Sequence, residues 1–110
     1  MKRDKKNRLE AAGWRVGDAA DFLDLTDEER AFIETKLALA DGVRLRRQRR
    51  KLTQAQLAKR LGSSQSRVAK MEAADPTVSM DLMVKSLLRL GASRAEIARL
   101  IRQAPRAGAA

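Results

Sequence analysis

The stretch from Thr53 to Glu72 constrains the fold of this chain more than any other. It reads Thr-Gln-Ala-Gln-Leu-Ala-Lys-Arg-Leu-Gly-Ser-Ser-Gln-Ser-Arg-Val-Ala-Lys-Met-Glu, and its apolar residues stand where two short crossed helices need them. Leu57, Ala58 and Leu61 fall at i, i+1 and i+4, the inner face of a helix begun at Thr53. Gly62 stops that helix, because a residue without a Cβ readily enters the left-handed conformation that turns the chain. Beyond Ser63 and Ser64, Val68 and Met71 repeat at i, i+3 as the inner face of a second helix. Gln65, Ser66, Arg67 and Lys70 are left pointing outward.

Charge indicates what such an outer face would meet. The 110 residues carry a formal net charge of +10 and a pI of about 11.1, which points to a polyanionic partner. Between positions 43 and 72 the bases Arg44, Arg46, Arg47, Arg49, Arg50, Lys51, Lys59, Arg60, Arg67 and Lys70 face Glu72 alone. Between 18 and 41 the balance inverts, with Asp18, Asp21, Asp24, Asp27, Glu28, Glu29, Glu34 and Asp41 against Arg30 and Lys36. A helix, a short turn and a second helix bearing amides and cations is the arrangement that enters a DNA major groove. Aromatic residues make up only 3% and there is no Tyr, which disfavours stacking platforms for single-stranded RNA.

The chain has no Cys and no His, so disulfides, thiol nucleophiles, imidazole bases and thiolate or imidazole zinc sites are excluded. No apolar run approaches the roughly 20 residues of a membrane span, and the basic start, Met1 to Arg8, has no hydrophobic region after it. These features predict a soluble cytoplasmic protein without cofactor or metal. Ser64 or Ser66 near Lys59 or Lys70 is a conceivable nucleophile pair, yet Ser at a helix start is ordinarily a cap and no base is poised beside it. No enzyme is expected.

The remaining sequence divides into further helical signals. Residues 1 to 8 form a basic polar arm, and a short helix is predicted from about Ala19 to Asp24 with Asp18 as N-cap, near the apolar Trp14 and Phe22. Thr26-Asp27-Glu28-Glu29 is a capping box opening a helix whose apolar face, Phe32, Ile33, Leu37 and Ala40, is interrupted by Lys36. At Asp41-Gly42 that helix either breaks or runs on to about Arg50; the small cost of one glycine, ~1 kcal/mol, favours one long or kinked helix. Ser79 caps a helix closed by Gly91, and Ser93 with Glu96 forms a second capping box opening a last helix that contains Ile97, Leu100 and Ile101. The expected fold is all-α: an N-terminal extension over 1–41, a helix-turn-helix DNA-binding domain over 42–103 and a tail over 104–110.

Thr53 to Glu72 closely resembles the helix-turn-helix of the Cro and phage-repressor family, in Gln54, Leu57-Ala58, Leu61-Gly62, Gln65, Val68 and Met71-Glu72. The resemblance runs from about Val43 to Ile101 and implies a five-helix lambda-repressor-like domain. It also implies that Gln54 meets a backbone phosphate, that Ser64, Gln65, Ser66 and Lys70 face base edges, and that Arg47 and Glu72 form a structural ion pair. Arg67 lies within reach of bases or phosphate, and Thr53, Arg44 and Arg46 are expected on phosphate. Gln suits adenine, Arg and Lys suit guanine, and Ser suits either base or phosphate. Two departures stand out: Ala73-Ala74 replaces the glycine-bearing turn of many relatives, so a differently shaped turn is expected, and the loop from Asp75 to Val78 lacks basic residues.

The order of segments, with Gly-Trp-Arg-Val-Gly and Ala-Asp-Phe-Leu-Asp-Leu before the motif, resembles small antitoxin regulators of the HigA type. That resemblance implies a protein that binds a ribonuclease toxin and represses its own operon. The expected function is therefore a homodimeric, sequence-specific DNA-binding repressor, with double-stranded operator DNA as partner. Two-fold pairing is expected because one recognition helix reads too few bases to specify an operator. The alternative is an antitoxin whose main role is to neutralise a basic toxin, with the acidic segment 18 to 41 as the docking face.

Overall fold

Five helices follow one another through residues 25–103, the part of the chain that the computed structural model describes. They are α1 (Asp27–Arg49), α2 (Gln54–Leu61), α3 (Gln65–Glu72), α4 (Met80–Arg89) and α5 (Arg94–Arg102). Among the described residues there is no strand, so the class is all-α. The basic arm, Trp14, Phe22, the short helix expected before Leu25 and the tail from 104 lie outside the described residues.

Helix α1 runs unbroken for 23 residues, a rod of about 34 Å at 1.5 Å per residue. It starts where the Thr26 hydroxyl accepts from the Glu29 amide (3.1 Å) and the Glu29 carboxylate accepts from the Thr26 amide (2.9 Å). Three acids in its first turn and three arginines in its last oppose the helix dipole favourably. Gly42 neither breaks nor ends it. A Cβ built there would lie 2.5 Å from a terminal methyl of Leu100, so the glycine lets α5 pack directly on the α1 backbone. A division at 41 and 42 falls inside this helix, and Ala38, Leu39 and Ala40 on its N-terminal side belong to the core.

α1 is the spine against which α3, α4 and α5 pack, while α2 leans on α3 and α4 on α5. The centre of the core is Leu39, Val43, Leu57, Val68, Met71, Met83, Leu87 and Leu90. The inward face expected of α2 and α3 is thus the buried one, and Leu61 packs against its edge. Two apolar residues of the expected faces are outside it: Phe32 is 57% exposed and Ile101 46%. Lys36, read as a gap in the apolar face of α1, is instead 8% exposed. Its Nζ donates to the carbonyl of Asp75 at 3.0 Å, beyond the C-terminal end of α3. A cation is favourable at that end of a helix, and the long aliphatic stem fills the space between α1 and the turn.

Helices α1 to α4 all end in the same paired arrangement, one amide reaching back five residues and its predecessor three. Gly62 (φ 65°) and Gly91 (φ 91°) occupy the left-handed position after α2 and α4. After α1 and α3 that position falls to Lys51 (φ 56°) and Ala74 (φ 56°). The expectation that Ala73-Ala74 would reshape the turn is corrected here: Ala74 itself takes the left-handed conformation. Its buried methyl and the Lys36 hydrogen bond to the next carbonyl hold it there.

A side chain in this region costs ~1–2 kcal/mol, against the ~0.5–1 kcal/mol by which glycine loosens the unfolded chain. Lys51 is exposed, so Lys51→Gly is expected to stabilise the protein by about 0.5–1 kcal/mol, read as a rise in thermal midpoint of a few degrees. An unchanged or lower midpoint would show that the lysine is unstrained. Ala74→Gly is expected to be near neutral, because it also removes a buried methyl.

Candidate nucleic-acid interface

Helix α3 begins at Ser64, whose hydroxyl accepts from the Arg67 amide at 3.1 Å. From that start, eight residues turn Val68 and Met71 inward and leave Gln65, Ser66, Arg67 and Lys70 exposed. None of these four side chains makes a hydrogen bond or ion pair to another described residue. A row of unpartnered donors on a rigid helix is a surface available to another molecule. Ser64, Ser66, Arg67 and Lys70 line a shallow concavity whose far wall is Thr77 and Val78.

Thr77 was not singled out in the sequence. Its amide and hydroxyl donate to Asp75 Oδ1 at 2.8 and 2.6 Å, which folds the loop back beside α3. Those two bonds, with the positive charges of Lys70 and Lys36 nearby, hold the Asp75 carboxyl below its ordinary pKa. The only local signal was the Asp-x-Thr spacing, common to many capped turns.

The base of α3 is clamped. Arg47 on α1 donates from Nε to Glu72 Oε2 (2.6 Å) and from Nη2 to Glu72 Oε1 (3.0 Å), a bidentate pair. A third donor of Arg47, Nη1, reaches the Leu52 carbonyl at 2.8 Å. Gln54 Nε2, at the start of α2, also donates to Glu72 Oε1 at 3.1 Å. One carboxylate at the last residue of α3 therefore ties it to both α1 and α2. Glu72 raises the already high pKa of Arg47 through this hydrogen bond, against the opposing effect of burial.

Several residues expected on phosphate are engaged elsewhere. Gln54 spends an amide hydrogen on Glu72, with its second amide hydrogen left over. The Thr53 hydroxyl accepts from the Gln56 amide, and Gln56 reaches back to the Thr53 amide, a capping box at the start of α2. Arg44 pairs with Asp41 one turn earlier on α1. Arg46 pairs with Glu96 on α5, which draws it to the helix that packs away from α3. Arg49, Arg50, Lys51, Lys59 and Arg60 are exposed cations of the region, and the paired Arg44 is exposed as well.

The carboxyl of Glu96 is held below its ordinary pKa, first by the Ser93 amide of the capping box and also by Arg46. Asp75 and Glu96 thus stabilise the fold above their unfolded pKa, and that contribution is lost as pH falls through the lower folded value.

Among the described residues, no three acidic side chains are grouped to hold a metal ion, and no helix is long and apolar enough to cross a membrane. Residues 38–100, more than half of the chain, match the family described as a helix-turn-helix domain. The match begins in the middle of α1 and ends within α5, so it takes in α2, α3 and the whole clamp between them. No curated protein and no solved structure matches the chain significantly.

Proposed function

This chain belongs to the helix-turn-helix domain family, and from that membership we propose that it is a sequence-specific DNA-binding repressor acting at its own promoter. One observation carries the reading: α3 presents Gln65, Ser66, Arg67 and Lys70 unpartnered, while its inner face and its last residue are fastened to α1 and α2. Recognition by a helix in the major groove needs that combination of free donors and fixed backbone. Ser64 and Thr77 flank the row, and Lys59 and Arg60 supply nearby exposed charge for phosphate. The protein works as a homodimer on a two-fold operator, in the cytoplasm where the nucleoid lies, since one α3 spans too few base pairs to specify a site.

Anisotropy titration at ~0.15 M salt, against DNA from its own promoter and a scrambled duplex, tests this. A preference of ~10³-fold or more for the promoter is expected. Gln65→Ala should weaken promoter binding by ~1–3 kcal/mol and leave the scrambled duplex nearly unaffected. An equal loss on both would remove Gln65 from the base-reading set. Equal and steeply salt-dependent binding by the unaltered protein would reduce the reading to phosphate attraction alone.

A second reading is favoured by one feature at the other end of α1. Phe32 is 57% exposed on a turn bearing Glu28 and Glu29, an aromatic anchor in acidic surroundings. An antitoxin that docks a basic ribonuclease toxin on this face fits that chemistry. Phe32→Ala would then abolish capture of a basic protein encoded beside it, without changing DNA affinity.

A further inference from the structure

On the side of α1 turned away from α3, a groove of about 220 Å³ opens between α1 and α5. At about 100° per residue, Arg49 projects some 200° around α1 from Arg47, so the groove and the clamp lie on opposite faces of one helix. The half-buried side chains of Leu45 and Leu100 and the backbone at Gly42 form its floor. Its rim carries three guanidinium groups, Arg46, Arg49 and Arg99, together with the carboxylates of Asp41, which pairs with Arg44, and of Glu96. Arg46 is neutralised by Glu96. Arg49 and Arg99 are exposed and pair with no carboxylate among the described residues.

We propose that this groove is a binding site for a small organic anion, a phosphate monoester or carboxylate with a short apolar body. Two unpaired guanidinium groups facing a common cleft from different helices offer planar, charge-assisted donors to one oxyanion. The apolar floor covers the rest of the molecule, and the volume equals that of roughly seven waters at ~30 Å³ each. Arg46 needs no separate ligand, since Glu96 keeps it in place as a wall. The site does not depend on how α3 is used, because none of its residues lies on α3 or on the concavity beside it.

Titration of the full chain with phenyl phosphate, and separately with inorganic phosphate, followed by amide NMR shifts, tests the assignment. Saturable shifts centred on Gly42, Arg49 and Arg99 are expected, with phenyl phosphate the tighter of the two because of the apolar floor. The double variant Arg49→Gln/Arg99→Gln should bind at least about tenfold more weakly, whereas Gln65→Ala should bind unchanged. The same titration with scrambled duplex bound to the protein should give the same result.

Shifts confined to residues 64 to 70, loss of binding when DNA is present, or equal affinity of the double variant would overturn the site. So would absence of saturable shifts in the unaltered protein. Inorganic phosphate binding as tightly as phenyl phosphate would overturn the apolar part of the ligand. Failure of promoter recognition would leave every outcome of the titrations without DNA readable.

Discussion

Glu72→Ala is expected to lower the stability of the protein by about 3–5 kcal/mol, a large share of what a domain of this size possesses. The carboxylate is 5% exposed and its partner Arg47 13%, so the pair is screened very little by water. Removing Glu72 leaves a largely buried guanidinium with only the Leu52 carbonyl, and strips Gln54 of its acceptor as well. Urea unfolding followed by circular dichroism reads the effect as a fall in midpoint. A loss below ~1 kcal/mol would mean that the pair behaves like an exposed one. Glu72→Gln, which keeps the shape and one acceptor oxygen, should fall between the two. The double variant Arg47→Met/Glu72→Leu should recover most of the loss, because no unpaired charge then remains buried.

Leu57→Ala carries the second large effect, about 2–5 kcal/mol. Leu57 is fully buried in the core beneath α2, and the tight packing there leaves the cavity little room to collapse. Ile101→Ala is the matched control. That side chain is 46% exposed at the end of α5, and its truncation should cost less than ~1 kcal/mol. Similar losses at the two positions would mean that α2 is not anchored through its inner face. Below the unfolding transition Leu57→Ala should still bind promoter DNA, since no donor on α3 is touched.

What was legible in the residues divides along sequence distance. The caps at Thr26, Thr53, Ser79 and Ser93, and the left-handed glycines 62 and 91, rest on groups within a few residues of one another, and local chemistry is enough to place them. The phase of Leu57, Val68 and Met71 likewise defined the inner surface of the motif. The Lys36 bond to the Asp75 carbonyl joins positions 39 apart, and the Arg46 pair with Glu96 joins positions 50 apart. No periodicity or spacing announces such contacts. A lysine within an apolar face looked like a defect, and an arginine within a basic run looked like part of a phosphate grip. The Arg47 and Glu72 pairing came from family resemblance, because helical phase alone does not join residues on different helices. Ala74 shows the converse limit. Its residue type argued against a left-handed turn, and tertiary packing overrode it.

Helix α1 is a single unbroken element with opposite charge at its two ends. Asp27, Glu28, Glu29 and Glu34, against Arg30, sit at one end of a rod about 34 Å long, and the exposed Arg49, Arg50 and Lys51 sit at the other. Near a polyanion a rod charged in this way is turned like a compass needle: the first end is pushed off while the second is drawn in, before any contact forms. Encounters would then arrive already oriented. That advantage should fade as added salt shortens the reach of the field to less than the length of the rod.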